Sequence, residues 1–191
     1  MNATSRKALL ALVGLLAVGT VARAVLAGEA PPPGKITLVP VKWDGYLARV
    51  VNKKAKLTIV DAWATWCGPC KANFPHLVEL HKKYAAQGLN VISLSLDEAD
   101  RPKKVAEATA FLESKEAVFT NLILVEKADD AFEKLNIGAI PAVFLYGPDG
   151  KELRRFTLDD VDNQFTYVQV EQAVQDFLAG KPIAEGQPKK K

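Results

Sequence analysis

The chain has 191 residues, which is enough for one domain of ordinary size with its own core and an additional segment. Hydrophobic residues make up 49% of it and charged residues 25%, as is typical of globular proteins. The net charge is +3, but Arg6, Lys7 and Arg23 lie within the first 27 residues, and taking these three from the 25 basic residues leaves 22 against 22 acidic ones. A chain balanced in this way gives no sign of a basic surface, so no nucleic-acid partner is expected.

Residues 1–27 have the pattern of an export signal. A basic pair near the start is followed by an uncharged apolar run up to Ala22 and by two small-residue cleavage patterns, which end at Ala24 and Ala27. The run is shorter than the roughly 18–20 residues that a membrane-spanning helix requires. We predict a signal peptide, and the alternative is an uncleaved N-terminal anchor that associates with the membrane. Either one places the rest of the chain in the periplasm or another extracytoplasmic compartment, where disulfides are stable.

The remaining chain divides into a linker, a domain and a tail. Residues 28–35 include three consecutive prolines and are predicted to form a stiff, extended linker. Residues 36–180 carry the hydrophobic periodicity of a folded domain. Residues 181–191 are polar, end in three lysines and are predicted to be a tail without fixed structure.

Within the domain, the spacing of apolar residues predicts an α/β order of elements. In chain order these are an edge strand at 35–40, a helix at 43–53, a strand at 57–63, a helix from the cysteines to about 86, a strand at 90–96, a helix at 100–114 capped by Asp100, a strand at 119–125, a short helix at 130–135, strands at 142–146 and 152–156 joined by a tight turn, and a helix at 167–178. The strands on either side of the cysteine helix are expected to be parallel and the last two antiparallel. This gives a mixed central β-sheet flanked by helices.

Cys67 and Cys70 are the only cysteines of the chain, and they lie in Trp-Cys-Gly-Pro-Cys directly after a predicted buried strand. A disulfide at this spacing closes too small a loop to stabilise the fold much, so the pair is predicted to be a reacting one. At the start of a helix, unpaired N–H groups and the helix dipole lower the pKa of a thiol. We expect Cys67 to be exposed and to attack a disulfide, and Cys70, one turn further on, to be buried and to resolve the mixed disulfide.

Three neighbours of the cysteines bear on this chemistry. Gly68 would allow a partner chain to approach closely, and Pro69 suits the first turn of a helix, because the N–H that it lacks would be unpaired there in any case. Asp61 interrupts an otherwise apolar strand. Buried there, it would have a raised pKa and could take the proton from Cys70. The alternative for Asp61 is a structural, hydrogen-bonded carboxylate.

The stretch from Asp61 to Lys71 resembles the active-site signature of the thioredoxin superfamily, and Pro75 matches the proline in that family's active-site helix. Residues 138–142 are similar to the loop that carries the family's cis-proline opposite the cysteines. The resemblance implies a thioredoxin-like fold, a cis peptide at this loop and a client chain that pairs with its backbone. The site residues are then the catalytic Cys67, Cys70 and Asp61 and the substrate-binding Trp66, Gly68, Pro69, Ile140 and Pro141, with no metal.

Within the superfamily, the chain looks similar to the exported TlpA- and ResA-like thiol-disulfide oxidoreductases, because of its export signal and the long segment between Asp97 and Pro141. That segment fits an extra helix and strand before the cis-proline loop. This resemblance implies a protein-disulfide reductase that acts on a disulfide-containing client protein and receives electrons from a thiol-type donor in the membrane. A monomer is expected, with no cofactor besides the redox-active Cys67–Cys70 disulfide.

Two departures from the family and several alternatives stay open. Where cytosolic thioredoxins carry a lysine beside the buried aspartate, the aligned strand has Ser93. Some ResA-like proteins use an acidic residue near their cysteines, and the candidates for it here are Glu107 and Glu113.

A zinc site is not expected, because His76 and His81 are five residues apart on a predicted helix and diverge. A disulfide oxidase or isomerase is the main alternative to a reductase. A redox-inactive binding module of the same fold is a second one, although it would be expected to have lost one of the cysteines.

Overall fold

The structure, a computed structural model, describes residues 36–159, 162 and 164–183. The predicted signal or anchor at 1–27, the linker at 28–35 and most of the predicted tail at 181–191 therefore lie outside the described residues. Within the described ranges, no helix combines the length and the apolar character that crossing a membrane requires.

The described residues form six strands and five helices. The strands are β1 Leu38–Val41, β2 Leu57–Trp63, β3 Leu89–Ser95, β4 Thr120–Leu124, β5 Ala142–Tyr146 and β6 Glu152–Phe156. The helices are α1 Trp43–Val50, α2 Gly68–Tyr84, α3 Pro102–Ser114, α4 Ala128–Leu135 and α5 Tyr167–Leu178. A short 3₁₀ turn, Ala85–Gln87, follows α2 and ends at Gly88, whose φ of 106° lies in the left-handed region that favours glycine.

Several element boundaries differ from the prediction by one to three residues, among them those of β1, α1 and α3. The prediction that Asp100 caps α3 is wrong, because the helix begins at Pro102 and its cap position falls on Arg101, with a φ of −104° and a ψ of 102°. Proline suits the first helical position and disfavours the helical conformation at the residue before it, so Arg101 is extended. α1 ends at Val50, three residues earlier than predicted, where the chain becomes extended.

The six described strands belong to one sheet in the order β1-β4-β3-β2-β5-β6. Strands β1, β4, β3 and β2 are parallel, whereas β5 is antiparallel to β2 and β6 to β5. The predicted fold class, a mixed α/β sheet flanked by helices in the thioredoxin-like manner, is confirmed. The long segment between Asp97 and Pro141 contains α3, β4 and α4, and so includes the extra helix and strand that the sequence predicted.

Right-handed crossovers place α2 and α3 on one face of the sheet, and α5 contacts α2 and β2 on the same face. Trp63, at the end of β2, packs against Phe74 of α2 and Phe111 of α3, with ring centroids 5.2 and 4.9 Å away. The opposite face is covered by α1 and α4, which contact each other. Because side chains alternate along a strand, Asp61, two residues before Trp63, points to the face covered by α2 and α5.

β2 lies at the centre of the sheet, and each of its seven residues is buried. A strand with neighbours on both edges and helices on both faces needs a predominantly apolar sequence, which β2 has except at Thr58 and Asp61. Burial of apolar surface stabilises the fold by roughly 25 cal/mol per Å². The C-terminal end of β2 leads through residues 64–67 into α2, so the buried core of the sheet fixes the position of the cysteine motif.

Candidate active site

The cysteine motif lies where β2 ends and α2 begins. Cys67 occupies the cap position of α2, with a φ of −88° and a ψ of 101°, and it is joined to Cys70 in a disulfide. Gly68 and Pro69 are the first two residues of the helix, and both are exposed. Pro69 therefore lies in the first turn, as the sequence predicted, and Pro75 lies inside the same helix.

Backbone groups around Cys67 are arranged to stabilise a thiolate. The N–H of Cys70 donates a hydrogen bond to Cys67 Sγ at 3.1 Å. The same sulfur lies at the N-terminus of α2, where the helix dipole is positive. A cysteine in such a setting has a pKa below the roughly 8.5 of a free thiol. In the reduced protein, this geometry favours Cys67 as the nucleophile of the pair.

Cys67 is less exposed than the sequence predicted. In the disulfide form its exposed fraction is 5% and that of Cys70 is 2%, so both are buried. The main-chain oxygen of Ile140 lies 3.6 Å from Cys67 Sγ and covers it. Trp66, which is 56% exposed, supplies the surface next to the sulfur. The prediction that Cys70 is buried is confirmed, and the prediction that Cys67 is exposed is wrong for the oxidised state.

The pairing of β2 with β5 brings the second predicted part of the site to the cysteines. Ala62 lies opposite Ala142, the first residue of β5, so the residues just before β5 lie beside the end of β2. The peptide between Ile140 and Pro141 is cis, as the resemblance implied. Its Ile140 carbonyl contacts Cys67, a residue 73 positions earlier in the chain. Two distant segments therefore form one site.

Asp61 is buried in β2, on the face that α2 and α5 cover. Its exposed fraction is 1%, and burial raises the pKa of its carboxyl group from 3.8 to about 7. The hydroxyl of Tyr167 donates a hydrogen bond to Asp61 Oδ2 at 2.6 Å, which limits this rise in pKa. The burial and raised pKa predicted for Asp61 are confirmed. A carboxyl group that titrates near neutral pH is suited to exchange a proton with a thiol.

The hydrogen-bond partner of Asp61 was not predicted. Ser93 of β3 lies opposite Asp61, as the sequence alignment of the strands implied, but its hydroxyl donates to Asn121 of β4 at 2.7 Å. Asp61 instead bonds to Tyr167, the first residue of α5, which follows it by 106 positions. A single sequence gives no signal for such a distant contact. The one available hint is that the hydroxyl of a buried tyrosine normally requires a partner.

A second buried carboxylate, that of Asp97, holds the loop in front of Cys67. Its oxygens accept hydrogen bonds from the N–H of Thr65 at 3.0 and 3.1 Å, from the Thr65 hydroxyl at 2.6 Å and from the Ser95 hydroxyl at 2.8 Å. Asp97 is 2% exposed. The sequence indicated it only as the end of a strand. Its signal was a charged residue directly after an apolar strand, at the sheet edge where β2 also ends.

A groove of about 300 Å³ lies beside the cysteine motif and the cis-proline. One wall is formed by Pro69, Asn73 and His76 of α2, and the other by the loop before α5 and the first turn of that helix. The ring of His76 stacks on that of Tyr167, with centroids 5.4 Å apart and planes 21° apart. Among the described residues, the lining contains no Asp, Glu, Lys or Arg, so this part of the groove suits an apolar or neutral side chain.

The other candidate side chains lie at the surface or at its boundary. His76 is exposed and His81 is half-buried. On α3, Glu107 pairs with Lys104 at 3.0 Å on an exposed face, and Glu113 is exposed as well. Over the described ranges, no three His, Cys, Asp or Glu side chains converge in the way that a metal ion would require.

A disulfide at a helix N-terminus, a cis-proline against it and a mixed sheet between layers of helices define a protein of the thioredoxin-like class. The chain belongs to the AhpC/TSA family, whose sequence profile matches residues 41–153. This agrees with the superfamily to which the cysteine motif and the cis-proline loop pointed.

The names of similar proteins describe thiol-disulfide chemistry. The chain is 26% identical over 121 residues to a thiol-disulfide oxidoreductase ResA of Bacillus cereus, which is 63% of this chain and 66% of that protein. It is 29% identical over 128 residues to ResA of Geobacillus kaustophilus, 67% of each chain. The structure is similar to a putative thiol:disulfide interchange protein DsbE from Chlorobium tepidum, with 28% identity and a TM-score of 0.52 over 66% of this chain and 82% of that one. The matches thus span about two thirds of the length of the ResA relatives.

Proposed function

We propose that this protein is a thiol-disulfide oxidoreductase that reduces disulfide bonds of extracytoplasmic client proteins by dithiol–disulfide exchange. The observation that carries the proposal is the Cys67–Cys70 pair at the N-terminus of α2, bordered by the Ile140 carbonyl. The names of the ResA and DsbE relatives support the same chemistry.

The exchange takes place in two steps. The Cys67 thiolate attacks one sulfur of the client disulfide, so that a Cys67–client bond forms and the other client sulfur leaves as a thiolate. The Cys70 thiolate then attacks Cys67 Sγ, which forms the Cys67–Cys70 disulfide and releases the second client thiolate. The client gains two electrons, and its two thiolates take up protons. The pair is oxidised in the structure. In the proposed cycle this is the state after client reduction, and a dithiol donor regenerates the reduced pair.

Asp61 has the properties of the group that accepts the proton of Cys70. Its side chain points to the face covered by α2, the helix in whose first turn Cys70 lies. Because its pKa is about 7, Asp61 is present both as carboxylate and as acid at neutral pH. The carboxylate would take the proton as the Cys70 thiol becomes a nucleophile, and the acid would return it to a leaving thiolate in the reverse direction.

Client binding would use the surface around the motif. The residues proposed to touch the client are Trp66, Gly68, Pro69, Ile140 and Pro141. An extended client segment that pairs with the main chain of the cis-proline loop would bring its disulfide to the Cys67 sulfur. The adjacent groove would accept an apolar or neutral side chain close to the client cysteine, because its described lining residues include no Asp, Glu, Lys or Arg.

Location and electron source belong to the same proposal. The export pattern at 1–27 would place the domain in the periplasm or another extracytoplasmic space, as a monomer that is released or stays associated with the membrane through its N-terminus. A reductase in an oxidising compartment needs a supply of electrons, which we assign to a thiol-type donor in the membrane. The Gly68-Pro69 pair between the cysteines resembles that of reducing thioredoxins and favours a reductase over an oxidase or isomerase.

A trapping experiment tests the roles of the two cysteines. In Cys70→Ser, the mixed disulfide between Cys67 and a client cannot be resolved. The reduced protein should therefore form a covalent complex with oxidised insulin, which dithiothreitol separates by reducing the mixed disulfide. Cys67→Ser is the matched control and should form roughly tenfold less complex, because the remaining Cys70 thiol is buried and does not occupy the cap position of α2. Equal trapping by both variants would contradict the assignment of Cys67, and no trapping by either would contradict the exchange itself.

A further inference from the structure

The Asp61 carboxylate receives its hydrogen bond from a residue of the last helix. Among the residues that the structure describes, Tyr167 of α5 is its side-chain partner, and both groups are buried. We propose that Tyr167 is a positioning residue for proton transfer, which holds the Asp61 carboxylate in one orientation and favours its ionised form. The proposal rests on the dithiol–disulfide exchange described above and adds the residue that makes Asp61 a competent proton acceptor.

The ring of Tyr167 is held on several sides. Thr166 caps α5 through reciprocal hydrogen bonds with Gln169, which fixes the first turn of the helix, where Tyr167 lies. His76 of α2 stacks on the ring, and the ring of Phe165 has its centroid 5.7 Å away. The hydroxyl therefore reaches the carboxylate from a fixed side chain, and the hydrogen bond is part of the packing between α5 and β2.

The sheet offers Asp61 no competing group. β3 presents Ser93 opposite Asp61, and its hydroxyl is bonded to a side chain of β4. β5 presents Val143, which is apolar. Trp63, on the same face of β2, packs into an aromatic cluster with α2 and α3. No polar side chain of these strands donates to Asp61 in the part of the chain that the structure describes.

Other than Cys70, the ionisable side chains of α2 are exposed or half-buried. Cys70 is joined to Cys67 in the disulfide, and His76 contacts the ring of Tyr167. Further along, Lys83 of α2 and Glu171 of α5 pair with each other at 3.1 Å near the surface. Among the described residues, no charged side chain adds to burial and to Tyr167 in setting the pKa of Asp61.

The Tyr167 hydroxyl lowers the pKa of Asp61 because it donates its hydrogen bond to the ionised carboxylate. Burial and the neighbouring Asp61 raise the pKa of Tyr167 well above its usual 10, so the phenol keeps its proton and remains a donor at physiological pH. A permanent donor stabilises the carboxylate more than the acid. Without the hydroxyl, burial alone would act, and Asp61 would stay protonated at neutral pH and could not accept the proton of Cys70.

Tyr167→Phe removes the hydroxyl and keeps the ring. The titration of Asp61 is measured on the purified full chain in its oxidised form, by ¹³C NMR of labelled aspartate carboxyl groups, with Asp61→Asn to assign the signal. The oxidised form carries no thiols, so the midpoint reports Asp61 without coupling to the cysteines. We expect Tyr167→Phe to raise the midpoint by about one to two pH units, the effect of a hydrogen bond to a charged group.

Tyr84→Phe is the matched control. The hydroxyl of Tyr84 donates to Glu171 at 2.8 Å across the same contact between α2 and α5, but it does not touch Asp61. This variant should leave the Asp61 midpoint unchanged. An unchanged midpoint in Tyr167→Phe, or an equal shift in both variants, would overturn the proposal.

A second variant covers the case in which Tyr167→Phe folds poorly. A 3-fluorotyrosine at position 167 retains the ring and has a more acidic phenol, which donates more strongly and should lower the Asp61 midpoint. A midpoint at or above that of the wild type would contradict the proposal.

The test separates this proposal from the proposed function, because the carboxyl titration requires no disulfide exchange. A shifted midpoint in a protein that fails to reduce insulin would support the role of Tyr167 in holding Asp61 and contradict the reductase. Insulin reduction with an unshifted midpoint would contradict the role of Tyr167 alone. If both hold, the pH profile of insulin reduction should move upward in Tyr167→Phe together with the midpoint.

Discussion

At the scale of single residues, Asp61 couples the stability of the protein to pH. The pKa of its carboxyl group is 3.8 in an unperturbed chain and about 7 in the folded protein, because burial disfavours the charge. The folded state therefore binds this proton more tightly than the unfolded state does. The stability that comes from this preference is fully present below the unfolded pKa and is lost as the pH rises through the folded one. At about 1.4 kcal/mol per pKa unit, the full loss is about 4 kcal/mol.

Asp61→Asn removes this dependence and keeps the shape of the side chain. Relative to the variant, the oxidised wild type should lose about 2–3 kcal/mol of its free energy of unfolding between pH 5 and pH 8. Urea unfolding of both proteins at pH 5 and pH 8 measures this difference in the free energy of unfolding. The contributions of the other titrating groups are the same in both proteins and cancel. Parallel pH dependence of the two proteins would show that the pKa of Asp61 is not raised.

The residues of the site differ in how far the sequence predicted them. Cys67 and Asp61 lie in one local motif, and Pro141 lies in a second one, so each was recognisable without tertiary information. Tyr167 was not, because its hydrogen bond spans 106 positions and its residue type fits an apolar helix start equally well. The burial of Cys67 was also missed, since the carbonyl that covers it belongs to the distant cis-proline loop.

At the scale of elements, the site forms where β2 and β3 end and β5 begins. The register of β2 with both neighbours fixes this meeting point. Asp97, two residues after the end of β3, binds the loop that continues β2, so the two strand ends are tied together directly in front of Cys67. The position of the loop between β2 and Cys67 is therefore fixed by the buried Asp97 carboxylate as well as by the sheet.

Asp97→Ala tests this connection. It leaves the N–H and hydroxyl of Thr65 and the hydroxyl of Ser95 without their acceptor in a buried place, at roughly 1–3 kcal/mol for each group that stays unsatisfied. We expect the free energy of unfolding in urea to fall by about 3 kcal/mol or more. Asp97→Asn keeps one acceptor oxygen and should lose about half as much. Wild-type stability in Asp97→Ala would contradict the role of Asp97 in holding the loop.

The elements themselves were largely predictable. β2, β5, β6 and α5 have the predicted bounds, because their apolar periodicity is regular and turn residues mark their ends. The start of α3 was misplaced because a favourable cap residue, Asp100, competes with a proline that fixes the first helical turn two residues later. The start of α3 is therefore set by the backbone geometry of Pro102 and not by the capping preference of Asp100.

At the scale of the whole molecule, the order of the strands determines where the chemistry takes place. The antiparallel pairing of β2 and β5 joins the cysteine motif to the cis-proline, and the position of α5 on the same face as α2 brings Tyr167 to Asp61. The sequence predicted the mixed sheet and the extra helix and strand. It did not predict that the last helix completes the surroundings of Asp61, because that depends on how α5 packs after the end of the sheet.

The reduction potential of the Cys67–Cys70 pair distinguishes a reductase from a disulfide donor. It is measured by equilibrating the purified protein with a series of glutathione or dithiothreitol redox buffers and trapping the free thiols. A reductase predicts a value near or below about −270 mV, as for thioredoxin. A value near about −120 mV, typical of a strong thiol oxidant, would contradict the proposed direction of electron flow.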